Sequence, residues 1–199
     1  MGGLGPAPAS LILLALNILA SLYGFIAGAA FVRRFVFHVG SVVELRQYYR
    51  IVTSSFLHGN AAHLLVNMLT LFFFGPVVER TLGSFGFVVV YFGAILAGAA
   101  VSLAVNRSNP NYASIGASDA VSGVVLSFCV FYPFEPLYIL FIPIGVPAIL
   151  YGVLFILLSA QLMERKNRVV AHESHLGGAL AGAALTVLMR PDALLGYFR

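Results

Sequence analysis

The sequence predicts an all-α membrane protein, a bundle of six transmembrane helices. Three observations carry this. Of 199 residues, 60% are hydrophobic and only 9% are charged, whereas soluble domains carry roughly 25% charged residues. The mean hydropathy is +0.97. The charged residues fall in short clusters, and the apolar runs between them approach the ~20 residues needed to cross a hydrocarbon core.

The elements follow in order. Residues 1–32 contain no charge, so the first helix is predicted over 8–32, closed by Arg33 and Arg34. It lacks a basic leading region and reads as a retained span, not a cleaved signal. The second, 56–78, stops at Glu79-Arg80; the third, 84–105, precedes the turn-rich "NRSNPNYAS". The fourth, 116–132, ends at "YPFEP", whose two prolines break a helix. The fifth, 143–162, is closed by "MERKNR", and the last covers 170–189. Residues 1–199 therefore read as one transmembrane domain with no soluble domain. "GAILAGAA" and "GGALAGAA" suit close packing between membrane helices.

The net charge of +4 does not point to nucleic acid. The basic residues flank apolar runs, as membrane anchors do, so the expected partner is the lipid bilayer. "RQYYR" at 46–50 reads as an interfacial belt. Cys129 is the only cysteine, which excludes a disulfide framework and a thiolate zinc site. No cofactor or metal is expected.

Polar side chains are costly inside a bilayer and mark function by default. Three predicted spans carry them at one end: His58, Asn60, His63 and Asn67 on the second; Ser118, Asp119 and Ser122 on the fourth; His172, Glu173, Ser174 and His175 on the sixth. All three ends follow an odd-numbered connection and so share one side of the membrane. Together they describe one polar pocket open to that side. His63 and Asn67, four apart, share a helical face. His175 shares a face with Gly178 and Gly182, and that small-residue face lets a neighbouring backbone come close. A serine and a histidine on two such helices could reach the 2.6–3.2 Å or so of a nucleophile–base pair.

These residues resemble a known family. "GASDAVSG" resembles the GxSG region of rhomboid intramembrane serine proteases, and "FLHGNAAHLLVNML" their second helix, with its HxxxN signature on His63 and Asn67. "FIPIGVPAIL" is similar to the entry to their fifth helix and "SHLGGALAG" to their sixth. The resemblance spans residues 46–184 with the motifs in order. It implies a six-helix rhomboid-like bundle in the cell membrane that cleaves single-span membrane proteins. By the same resemblance Ser118 is the nucleophile, His175 the general base, and His63, Asn67 and the Ser118 backbone N–H the oxyanion donors. Two residues depart from the pattern. Asp119 stands where the family has glycine, and Ser122 where an aromatic commonly packs on the histidine.

Two rival readings remain. One is a non-catalytic rhomboid-like protein that holds membrane helices without cutting them. The other is an intramembrane metalloprotease, suggested by "HESH" at 172–175, although its histidines are one residue too close for HExxH. Orientation pulls two ways. The pocket-side connections hold eight Lys and Arg (33, 34, 46, 50, 107, 165, 166, 168) against three opposite (80, 190, 199), which alone places the pocket side in the cytoplasm. The resemblance implies the reverse, with the N-terminus cytoplasmic. That is the orientation adopted, with the first connection taken as a folded interfacial structure.

Overall fold

A computed structural model describes residues 6–138, 145–163 and 171–195. The chain is mainly helical, and its first helix has its polarity inverted relative to a helix of a soluble protein. On α1 (Pro8–Ala27) the buried face is Ser10, Leu13, Asn17, Ser21 and Gly24, spaced by three and four. The rest of the helix exposes bulky apolar side chains, Leu11, Ile12, Leu16, Leu19 and Ile26, the last 86% accessible. Small and polar residues inside with large apolar residues outside suit a lipid solvent. By length and apolarity alone, α1 and the long helix α5 (Ala61–Asn106) qualify to cross a membrane, while Ser118–Phe131 and Ala148–Met163 are apolar but shorter.

Several boundaries differ from the sequence expectation. The first helix ends at Gly28, whose φ of 83° breaks the chain before Val32, and a separate α2 covers Ala29–Phe35. The connection that follows is folded. It comprises β1 (Phe37–His38), α3 (Val39–Val43), α4 (Tyr49–Thr53) and a 3₁₀ turn over Ser54–Phe56. Arg50, expected in an interfacial belt, is buried at its centre. Its guanidinium donates to Gln47 Oε1 at 2.6 Å and to the carbonyls of Arg33 and Val36, each at 2.9 Å.

The second helix starts at Ala61, not 56, because Asn60 caps it: Asn60 Oδ1 accepts the His63 N–H at 2.8 Å. It runs past Glu79-Arg80 to a break at Gly83 (φ 76°), after which α5 continues to Asn106. A charge does not stop this helix, because Glu79 is matched inside the protein. Its carboxylate accepts the Ala9 and Ser10 N–H groups at 2.9 and 2.7 Å and the Ser84 hydroxyl at 2.6 Å. It thereby supplies acceptors for free donors in the first turn of α1.

After β2 (Ala113–Ser114), which pairs with β1, α6 covers Ser118–Phe131. A short antiparallel pair, β3 (Pro136–Tyr138) and β4 (Gly145–Pro147), leads into α7 (Ala148–Met163). The expected helical start at 143 and the cluster Arg165, Lys166 and Arg168 lie outside the described residues. The last long helix, α8, covers His172–Met189, and α9 follows at Asp192–Leu195.

Helix α8 is wedged between α6 and the second half of α5. A Cβ on Gly178 would strike the Asp119 carbonyl, and one on Gly182 the Gly123 carbonyl. On the other side a Gly177 Cβ would lie 2.8 Å from the Ala97 carbonyl, and a Gly98 Cβ 2.9 Å from the Ser174 carbonyl. Backbones therefore touch backbones, with no flexible side chain to give way. Around this seam Leu71, Val78, Phe87, Val90, Tyr91, Ile95 and Val124 are fully buried.

Gly182→Val is expected to destabilise the fold by about 3 kcal/mol or more, at the upper end of overpacking costs. Leu180→Ala on the exposed face of the same helix should cost no more than about 0.5 kcal/mol. Thermal unfolding in detergent micelles compares the two.

Candidate active site

The loop before α6 is built to deliver Ser118. Gly116 has φ 127°, and a Cβ there would lie 2.5 Å from His63 Cε1. Glycine is thus required twice, for conformation and for room under the His63 ring. The loop is tied down on both flanks. The Gly116 N–H donates to the Ser54 carbonyl at 3.1 Å, and the Ala117 N–H points to His58 Nε2 at 3.4 Å.

His58 is 2% exposed and closes a relay of donors. Its Nε2 accepts from Ala117, so the neutral ring carries its proton on Nδ1. That nitrogen lies 2.8 Å from Ser21 Oγ, and the Ser21 hydroxyl donates to the Phe56 carbonyl at 3.1 Å. Helix α1 thereby braces the loop that holds Ser118. Sequence reading grouped His58 with the polar residues of the second span without giving it this task. Its partner Ser21 lies 37 residues away, and no local pattern signals such a contact.

Ser118 opens α6 and His175 sits in the first turn of α8. Their side chains meet: His175 Nε2 lies 2.7 Å from Ser118 Oγ. This is the spacing of a nucleophile and its base. The close α6–α8 seam described above is what permits it. Among the described hydrogen bonds Ser118 is the single side-chain partner of His175. The imidazole is otherwise flanked by rings, Phe155 of α7 at 6.5 Å and 20° and His172 at 6.0 Å and 77°.

His63 stands over the Gly116 loop, with its ring 5.1 Å from that of His58. Asn67 is buried one turn further along α5, and its amide donates to the His63 carbonyl at 3.1 Å. No described hydrogen bond links Asn67 to Ser118. His63 and Asn67, four residues apart, thus share one face of α5, with His63 against the loop that precedes the serine.

Asp119 turns the other way. Its Oδ1 accepts the Ala120 N–H at 2.7 Å, and the Ser55 hydroxyl lies 3.3–3.4 Å from the two carboxyl oxygens. It borders a cavity of about 20 Å³ shared with Ser54, Ser102, Ser114, Ser118 and Ser174, enough for about one water. Ser122 bonds back to the Ser118 carbonyl at 2.6 Å.

Glu173 of "HESH" is fully buried, and one of its oxygens accepts from Asn106 Nδ2 at 2.9 Å and from the Tyr112 hydroxyl. Burial, reinforced by the hydrogen bond and charge of Glu173, holds the Tyr112 phenol above its ordinary pKa, so it stays a donor. Among the described residues no three His, Cys, Asp or Glu side chains converge as a metal ion would need.

Comparison with known proteins gives the family. The rhomboid domain family matches residues 45–192. The mitochondrial RHOMBOID-like protein 12 of Arabidopsis thaliana is 29% identical over 148 residues, 67% of this chain and 44% of that protein. The putative rhomboid protease YdcA of Bacillus subtilis is 34% identical over 79 residues, covering 39% of this chain and 38% of that one. The inactive RHOMBOID-like protein 8 of Arabidopsis thaliana is 30% identical over 87 residues, 44% of this chain and 25% of its own length. The chain thus spans less than half the length of these relatives, of which one is named a putative protease and one inactive. The family match takes in most of the sequence, and the chain belongs to the rhomboid family of membrane proteins.

Proposed function

We propose that this chain is an intramembrane serine protease, with six membrane spans, that hydrolyses a peptide bond in or near the transmembrane segment of single-span proteins. The observation that carries the reading is the 2.7 Å contact between Ser118 Oγ and His175 Nε2. Ser118 Oγ attacks the scissile carbonyl carbon while His175 Nε2 takes the hydroxyl proton. The tetrahedral oxyanion accepts hydrogen bonds from the Ser118 N–H, free at the first turn of α6, and from His63 and Asn67. His175 returns the proton to the leaving amine as the C–N bond breaks. Water then attacks the acyl-enzyme with His175 again as base, releasing the acid and regenerating Ser118. The six spans comprise α1, the two halves of α5, α6, α7 and α8, placed in the cell membrane with the N-terminus in the cytoplasm. No metal or organic cofactor enters these steps.

Ser118→Ala and His175→Ala should each reduce cleavage of a transmembrane substrate in liposomes to background. The double variant should be no worse than either, because the two act in one step. A wild-type protein that neither cleaves nor reacts with a fluorophosphonate at Ser118 would favour the helix-holding reading, which the inactive relative also represents.

Asn67→Ala should lower turnover by roughly a hundred- to a thousandfold, the cost of one lost oxyanion donor. Ser118 in that variant should still label slowly. Undiminished turnover would remove Asn67 from the site.

Asp119 bonds Ser55, Ser174 of α8 and its own helix turn, and no described bond joins it to His175. Asp119→Gly is therefore expected to keep or raise the cleavage rate. Losing a first-turn carboxylate and gaining a helical glycine should lower stability by about 1–2 kcal/mol. Loss of activity in a folded, inserted Asp119→Gly protein would make the carboxyl a participant in the chemistry.

A further inference from the structure

A general base must hold its ring at one angle, and hydrogen bonds usually fix that angle. His175 has no such bond at Nδ1 among the described residues, and Ser122, one turn beyond Ser118 on α6, is small and bonded back to the Ser118 carbonyl. The flat contact available to the imidazole comes from a third helix. Phe155 of α7 lies 6.5 Å away at 20°, and Tyr151, one turn earlier, lies 6.1 Å from Phe155 at 24°. Two aromatic rings and the imidazole thus form one column, within the spacing of favourable ring pairs. Helix α7 buries only Ala148, Gly152 and Ser159 of its 16 residues. It rests on α6 through Gly152, where a Cβ would lie 3.1 Å from Leu126 and 3.6 Å from Cys129.

We propose that Phe155 is a positioning residue for His175, holding the imidazole toward Ser118 from α7. This rests on the serine-protease reading. Packing from α7 then does for this base what a hydrogen-bonded carboxylate does in soluble triads. Reactivity of the serine depends on α7 being docked.

The test uses the full chain in liposomes with a transmembrane substrate, and compares Phe155→Leu, which keeps bulk but loses the flat ring, with Phe155→Tyr, which keeps it. Phe155→Leu should lower kcat about three- to tenfold, the range of a ring-pair contribution, with KM within about twofold. Fluorophosphonate labelling of Ser118, which requires no substrate helix, should slow equally. Phe155→Tyr should restore both. In NMR spectra of ring-labelled histidine, with His175 identified by its loss in His175→Gln, the His175 ring signal should move in Phe155→Leu and stay near wild type in Phe155→Tyr.

A Phe155→Leu protein with wild-type kcat and labelling would overturn the proposal. So would a change confined to KM, or a fall in kcat with an unmoved His175 signal. A wild-type protein without Ser118-dependent labelling would overturn the protease reading alone. A moved His175 signal in Phe155→Leu would then still uphold Phe155 as a ring contact of His175.

Discussion

Everything at the site depends on how closely α8 approaches α6. Gly178 and Gly182 face the carbonyls of Asp119 and Gly123 with no room for a Cβ, so the two axes come as near as backbones allow. A serine side chain is short, and only at this separation can Ser118 Oγ meet an imidazole from the neighbouring helix. The contact also has no elastic component. Where a side chain fills a gap it can rotate to relieve strain, but a carbonyl held in a helix cannot. Packing and site geometry are therefore one constraint, set by glycines whose missing Cβ atoms leave the backbones in contact.

The second theme is where the hydrogen bonds go. In lipid the apolar residues gain little by meeting one another, and association relies on close packing and polar contacts. The interior follows that logic. Asn17 reaches Tyr91 at 2.8 Å, Thr186 reaches Ser127 at 2.6 Å, and Ser21 and His58 tie α1 to the loop before Ser118. These bonds cross between helices distant in sequence. They give the bundle register that featureless apolar faces would not supply, and they carry that register into the site.

Much of this was legible in the sequence because membrane proteins write their plan in charge and apolarity. Apolar runs placed most of the helices, and the polar residues at one end of two of them include the serine and histidine that meet. The His175–Gly178–Gly182 face foretold the seam. What was not legible has common causes. Glu79 and Arg50 were read as surface markers, yet both are buried, because most of their partners are backbone groups that no side-chain pattern announces. The break at Gly28 depends on a glycine that looks like its many neighbours. Phe155 was hidden for another reason. It is one of 17 phenylalanines in the chain, and its spacing distinguishes nothing until α7 is docked.

Glu79 carries a consequence for biogenesis. Its carboxylate joins the first turn of α1 to the turn around Ser84, on either side of the Gly83 break. When α1 leaves the ribosome, its acceptor lies some 70 residues downstream and has not been synthesised. Until the second helix arrives, the Ala9 and Ser10 amides lack the acceptor they have in the folded protein. Once the two dock, separating them would take from Glu79 two of its three donors, and a buried polar group that loses its partners is costly. The carboxylate thus couples the two early helices through residues that are made before Ser118 and His175.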